Sequence, residues 1–278
     1  GTPILMADLI WKPIEQVKKG DLVFGLTQKR KRGHWSFTPT KVIATGSRVT
    51  ETHRIKTDKI ETVCSVDHKW LRTDSQYHAY RPCRDIKFIS QPEIVRETED
   101  YKRGWLCGMI LGDGCLVDKH YSYPYQKHCH RYSFRLVLKD REGLERFETY
   151  LPNIRFNHFM FKCDCGPYPA IEIGKNNNVK IIEEISQQFE EDNREFLRGF
   201  LGGIFDAEGS YNKLLRIHNK NPRIIQKIEI ALNKLKIPYK LESFKPCKSI
   251  RVRGQKNIIR FFALTTPAIK RKIDNIYT

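Results

Sequence analysis

No apolar run in this 278-residue sequence approaches the roughly 20 residues that a membrane-spanning helix needs, and no secretory signal is apparent at its start. The chain is expected not to be secreted. It belongs in the cytoplasm of a bacterial, phage or archaeal host, or in a nucleus or organelle if the host is eukaryotic. Cysteine is sparse: the eight residues at 64, 83, 107, 115, 129, 163, 165 and 247 are too few to staple a chain of this length, which excludes a disulfide scaffold and implies reduced thiols. Acidic residues are also short, 32 against 50 Lys and Arg, for a net charge of +18. The excess is spread along the chain, +7 in residues 1–97 and +11 in residues 98–278. A basic surplus in both parts favours a polyanionic partner, most simply nucleic acid, and fits a structural or adaptor role poorly. Apolar residues are not lacking. At 40% hydrophobic and 11% aromatic, the chain has enough for a packed core, and its length suits about two domains.

The strongest internal signal is a repeat. "YKRGWLCGMILGDG" (101–114) has the shape of "FLRGFLGGIFDAEG" (196–209). Gly104, Gly108 and Gly112 align with Gly199, Gly203 and Ala207, and Asp113 aligns with Glu208. Downstream, "LVLKDREGLERFETYL" pairs with "RIHNKNPRIIQKIEIAL", which sets Lys139 against Lys220, Leu144 against Ile225 and Phe147 against Ile228. "AIEIGKNNNVKIIEEI" then pairs with "SIRVRGQKNIIRFFAL". Apolar spacings of three and four give helices, and short β-branched runs bounded by Gly, Asn or Pro give strands. Each repeat reads αββαββα, over about 98–190 and 191–275, with a longer first hairpin in the first copy. Thr98 or Asp100 is expected to cap the first glycine helix, and Asp192 with Glu195 the second.

Glycine inside a helix costs about 0.5–1 kcal/mol relative to alanine. Three at intervals of four line one stripe, which lets two backbones approach closely, so the two glycine helices are expected to pack on each other about a pseudo-two-fold axis. An acid at a helix C-terminus opposes the helix dipole by roughly 0.3–1 kcal/mol. Placing one at the end of both helices asks for a compensating cation. If the helices run parallel, Asp113 and Glu208 stand side by side, where two carboxylates repel unless one is protonated or a metal lies between them. Magnesium suits such a pair and supports phosphodiester hydrolysis.

"LCGMILGDG" (106–114) and "LGGIFDAEG" (201–209) resemble the two signature motifs of LAGLIDADG homing endonucleases, and the resemblance spans about 98–275. It implies an α+β fold in which two pseudo-symmetric αββαββα units form a saddle over double-stranded DNA. It implies a monomeric enzyme that cuts both strands of a long site and leaves short 3′ overhangs. By motif position the metal site is Asp113 and Glu208, with Gly112 and Ala207 preceding them. Mg²⁺ would serve, with Mn²⁺ as a substitute and Ca²⁺ binding without cleavage. Glu208 puts the charge on a longer arm than the usual Asp. Lys139 and Lys220, at matching strand ends, stand where the family often carries a basic residue near the metals. Lys175 and Arg253, in corresponding parts of the two repeats, sit near a second such place, and with Arg131, Arg135, Lys213, Arg216 and Arg251 they are candidates to contact DNA. A non-cleaving regulator or RNA maturase on the same scaffold is the rival, and it would be expected to have lost one of the acids.

Residues 1–95 read as a separate, small β-rich domain, with "ISQPEIVRETED" (89–100) as the linker to an endonuclease domain over 96–278. "GTPILMAD" at the start, Ser65 and His68 in "CSVDHKWL", and "YRPCRDIKFI" (80–89) resemble the N-terminal part of an intein (Hint) domain. No acyl-shift nucleophile precedes Gly1 and "RKIDNIYT" lacks the closing His-Asn, so splicing is not expected and His68 reads as structural. The resemblance suggests descent from an intein-type enzyme. Lys29, Arg30, Lys31 and Arg32 form a basic loop beside an aromatic and are expected to grip phosphates. His128, Cys129, His130, Cys163 and Cys165 match no standard zinc spacing and are expected to be small residues on a DNA-reading sheet rather than ligands.

Overall fold

A computed structural model describes residues 2–273, apart from 30–33, 57–60, 75–76, 83–95, 124–125, 165, 175 and 245–246. The chain divides into two compact units, Gly1–Ile94 and Val95–Thr278.

The N-terminal unit is built from antiparallel hairpins. β1 (Pro3–Leu5) pairs with β2 (Trp11–Pro13), β3 (Leu22–Lys29) with β4 (His34–Lys41), β5 (Thr52–Lys56) with β6 (Glu61–Ser65), and β7 (Lys69–Asp74) with β8 (Tyr77–Pro82). Ser65 ends β6, and the His68 amide donates to its carbonyl at 3.0 Å in the following turn. Residues 89–95 of the expected linker lie outside the described residues. Its last two, Glu99 and Asp100, are already the first turn of a helix.

The C-terminal unit contains the repeat. The first copy runs α1 (Glu99–Asp113), β9 (Gly114–Tyr123), β10 (Gln126–Val137), α2 (Arg141–Tyr150), β11 (Asn157–Cys163), β12 (Gly166–Ile173) and α3 (Asn176–Gln187). The second runs α4 (Arg194–Glu208), β13 (Gly209–Asn212), β14 (Leu214–Asn219), α5 (Pro222–Lys234), β15 (Tyr239–Phe244), β16 (Cys247–Val252) and α6 (Gln255–Thr265). The αββαββα order read from sequence is therefore present twice. The sheets repeat it: β9-β10-β12-β11 in one, β13-β14-β16-β15 in the other. Registers correspond residue for residue. Leu136 pairs with Gly114 as Ile217 pairs with Gly209, and Arg135 lies opposite Glu172 as Arg216 lies opposite Arg251.

Helices cover one face of each sheet. In the first, Phe134, Leu136, Ile171 and Ile173 are buried, and Phe147 of α2 stacks on Phe134 at 5.6 Å. In the second, Leu215, Ile217, Ile250 and Val252 are fully buried, with Ile225, Ile228 and Leu232 of α5. α4 is enclosed on all sides from Phe196 to Asp206.

α1 and α4 pack directly, backbone on backbone. A methyl group built on Gly199 would lie 1.9 Å from the Tyr101 carbonyl oxygen, and one on Gly203 2.0 Å from that of Trp105. The reciprocal positions are equally tight: Gly104 against Phe196 O at 2.0 Å and Gly108 against Phe200 O at 2.5 Å. The glycine stripes are thus the contact surface expected of them. The caps are equivalent too, but one differs from expectation. Thr98 accepts from the Tyr101 amide at 3.2 Å. At α4 the cap is Asn193 rather than Asp192, accepting from the Phe196 amide at 2.8 Å. Asp192 lies one residue too early and instead accepts from Lys234 Nζ at 3.1 Å.

This contact sets a clear expectation. Gly199→Ala or Gly203→Ala should lower stability by about 1–3 kcal/mol or more, because the obstructing atoms are main-chain and do not swing aside. Gly46→Ala, whose methyl would meet nothing within 4 Å, should stay within about 0.5 kcal/mol. Urea unfolding of the three variants checks this.

Candidate metal and nucleic-acid site

Both glycine helices stop without a loop. The backbone turns from α1 into β9 at Gly114 and from α4 into β13 at Gly209, each in an extended conformation. A methyl on Gly209 would lie 2.4 Å from the Phe205 carbonyl oxygen, and one on Gly114 2.5 Å from that of Ile110. These glycines permit the sharp exit, which leaves Asp113 and Glu208 as the last residues of two adjacent helices. Gly112 and Ala207 face each other beneath them: a methyl on Gly112 would come 2.4 Å from Ala207 Cβ and 3.5 Å from Glu208 Cγ.

The two acids feel one another. Glu208 is half-buried; burial pushes its carboxyl above the ordinary range and the charge of Asp113 pushes it further. Asp113 keeps solvent access, yet the packed helix ends withdraw enough water to raise its carboxyl as well. The negative ends of both helix dipoles add to the same field. Lys220 and Lys272 oppose the rise at Glu208, and Lys272 opposes it at Asp113. Asn219 Nδ2 donates to Glu208 Oε1 at 3.2 Å. Lys220 follows the end of β14 and acts on Glu208. Lys139, its counterpart after β10, is exposed and acts on Asp140.

Lys272 was not singled out in the sequence. Its ammonium donates to the carbonyls of Phe205, Asp206 and Ala207 at 3.3, 2.5 and 3.1 Å, capping the C-terminus of α4. Asp206 holds it there. This fully buried carboxylate accepts from Trp105 Nε1 at 2.9 Å across the helix pair, and from the amides of Ala268 and Ile269 at 2.7 and 3.0 Å. It pins the segment after α6, from which Lys272 reaches the acids. The only local signal in the sequence was the basic triplet Lys270, Arg271, Lys272 beyond the last apolar helix.

Opposite their helix-covered faces, the sheets carry the expected arginines. Arg131 and Arg135 of β10 alternate with the buried Phe134 and Leu136, and Arg216 and Arg251 alternate with Leu215, Ile217, Ile250 and Val252. Acids and an aromatic hold several of them in place. Arg131 donates to Glu172 at 3.0 Å, and the Arg135 guanidinium lies over the Phe161 ring at 4.5 Å. Arg251 pairs with Glu242 at 2.5 Å, and Arg253, just past β16, stands 3.9 Å from the same carboxylate. Lys213 forms the tip of the β13–β14 hairpin at φ 58°. Lys29 lies at the end of β3. Arg30, Lys31, Arg32 and Lys175 lie outside the described residues, as does Cys165.

Comparison with known proteins agrees with this architecture. Residues 195–265 match the family model of a LAGLIDADG-like domain. A structure of mesophilic variants of the homing endonuclease I-DmoI shares 17% identity at a TM-score of 0.50, covering 60% of this chain and 97% of that one. A crystal structure of I-DmoI in complex with DNA and Mn shares 16% at a TM-score of 0.50, covering 61% and 98%. At this identity the likeness establishes the fold: the chain carries the LAGLIDADG fold.

The raised carboxyls have a thermodynamic consequence. A carboxyl with a higher pKa folded than unfolded contributes stability that is complete at low pH and is lost as pH rises from the ordinary values of 3.8 and 4.5 through the folded value. In metal-free buffer at neutral pH, Asp113→Asn with Glu208→Gln should therefore melt higher than the native chain. Relieving roughly 0.3–1 kcal/mol at each helix end corresponds to about 1–4 °C per site. The advantage should vanish below about pH 4. Comparing the two melting curves across pH isolates these acids from carboxyls that shift the other way, such as Asp67 and Asp140.

Proposed function

We propose that this chain, which carries a LAGLIDADG-like domain and the LAGLIDADG fold, is a metal-dependent, site-specific double-strand DNA endonuclease of the homing type. The observation that carries the reading is the pair Asp113 and Glu208. Two acids occupy equivalent positions at the ends of helices whose glycines serve to bring those ends together. Each acid is destabilised as an anion where it stands, which is the environment a cation relieves. The donor set suits a hard divalent ion, since both side chains offer carboxylate oxygen. Asp113 and Glu208 would hold it, with Gly112 and Ala207 supplying the close helix contact. When bound, Mg²⁺ or Mn²⁺ supplies charge neutralisation at the scissile phosphate and a water of lowered pKa.

This chain's own residues do the rest. Lys220 and Lys272 keep the two carboxyls closer to their ionised form, and they add positive charge where a phosphate would carry developing negative charge. Lys139, which acts on neither carboxyl, would add charge toward a phosphate from the matching strand end in the first repeat. Arg131, Arg135, Arg216, Arg251 and Arg253 line the open sheet faces, where they would read base edges and phosphates. Holding several of them by Glu172, Glu242 and Phe161 lowers the entropy lost on binding. Because one chain supplies both halves of the pseudo-two-fold, a monomer suffices. The basic N-terminal unit, with Lys29 to Arg32, would extend the phosphate contacts.

Selection of cleaved duplexes from a randomised DNA library in Mg²⁺ tests this. The native chain should yield one long consensus with short 3′ overhangs, while Asp113→Asn and Glu208→Gln should bind it and fail to cut. A consensus that is bound but never cut, even with Mn²⁺, would make the chain a binding protein on this scaffold. Once a substrate is in hand, Lys272→Met should move the acid limb of the pH–rate profile to higher pH, because removing the cation raises both carboxyls. Lys272→Arg should leave that limb near its native position.

A further inference from the structure

The first hairpin of the first repeat extends beyond its packed root, and its outer part holds a cluster unrelated to the helix ends. Leu116, Asp118 and His120 project from one side of β9, and Phe134, Tyr132 and His130 from the same side of β10, in the pairs Leu116–Phe134, Asp118–Tyr132 and His120–His130. At the root this side is core, since Phe134 is fully buried. Two pairs further out it becomes polar and exposed.

There the rings of His120 and His130 stack at 4.2 Å and 10°. His130 Nε2 lies 2.6 Å from Asp118 Oδ1. Two imidazole nitrogens and one carboxylate oxygen all fall within 4.8 Å of one another. The cluster is braced from below. The Tyr132 ring lies nearly parallel to His130 at 6.0 Å, and its hydroxyl donates to Glu183 of α3 at 2.5 Å.

We propose that Asp118, His120 and His130 form a binding site for Zn²⁺ or a similar imidazole-preferring divalent ion, which clips β9 to β10. Bonds of about 2.0–2.1 Å in a tetrahedron set ligand atoms about 3.3 Å apart, so on binding the two exposed rings turn out of their parallel stack until a nitrogen of each points at the ion. Two nitrogens and one oxygen select this class of ion over Mg²⁺ and Ca²⁺, which favour oxygen alone. The fourth position falls to water. This set differs from the cysteine-rich one weighed in the sequence: it takes His130 from that group but adds Asp118 and His120 from the partner strand. A two-stranded arm past its packed root is marginally stable by itself, so a cross-strand ion has a structural role there.

Lys119 and Arg131 pair on the opposite side of the same strands. The clip would stiffen a basic arm from behind without blocking it. That consequence rests on the DNA-binding reading; the ion's binding does not.

The test uses the full chain carrying Asp113→Asn and Glu208→Gln, so that the helix-end acids are out of play. Zn²⁺ is titrated calorimetrically in excess Mg²⁺, with Co²⁺ absorption reporting the ligand type. The expected result is one Zn²⁺ per chain, a Co²⁺ spectrum without thiolate charge transfer, and slower amide exchange in β9 and β10. His120→Gln and His130→Gln should each weaken binding by at least about tenfold, the loss seen on removing even an outer partner of a metal ligand. Both residues are exposed, so the variants should fold. Absent binding, binding unchanged by either variant, a thiolate band, or unchanged exchange would overturn the proposal. Neither DNA nor cleavage is involved, so failure here would leave the nuclease reading untouched.

Discussion

The structure of the C-terminal unit depends on the main-chain contact between α1 and α4. Glycine is a poor helix residue, and Gly104, Gly108, Gly199 and Gly203 are tolerated because the neighbouring helix backbone fills the space a side chain would have taken. That approach makes the two repeats one body and brings two acids to the same end of it. It also confines the polar groups that must be buried nearby. Trp105, Asp206 and Arg198 are enclosed around the pair, and most of their polar atoms find partners: Arg198 donates to Leu264 O at 2.7 Å and to Glu195 Oε2 at 2.7 Å. The close contact is thus surrounded by directional bonds that fix one register of helix on helix.

The two acids of the second motif divide the work. Asp206 is solvent-free and bonded to three donors, and it orders the segment that follows α6. Glu208, two residues on, stays half-buried and is coupled to Asp113. Desolvation raises the carboxyls of both, but only Asp206 is offset by three hydrogen bonds. A buried, fully bonded acid is structural, whereas Glu208, with one side-chain donor and another acid beside it, keeps a charge that its own surroundings do not neutralise.

Much of this was legible because it was local or repeated. Glycines at intervals of four, an acid at each helix end and a matching series of strands all lie within short windows, and the repeat tests each against its copy. The offset that sets Lys139 against Lys220 also sets Arg135 against Arg216, and the sheet registers place these two arginines at equivalent positions. Lys272 was not found, because its role arises from a contact 66 residues away in sequence, through a loop held by Asp206. Asp118 and His120 were missed for a similar reason: His130 drew attention to neighbouring cysteines in sequence, while strand pairing set it against residues ten and twelve positions back. The α4 cap was misplaced by one residue because Asp192 and Asn193 are both good capping types, and only the path of the chain chooses between them.

The equivalent registers of the two sheets hold only at their roots. The first copy leaves Gly114 and does not return until Leu136, whereas the second leaves Gly209 and is back at Ile217. Matched roots and unmatched tips make the C-terminal unit two-fold beside the helix seam and one-sided beyond it. Length and sequence can drift at a tip without disturbing the helix seam, so each half can change what it touches independently of the other. A duplicated scaffold of this kind need not keep at its tips the two-fold symmetry that its seam imposes.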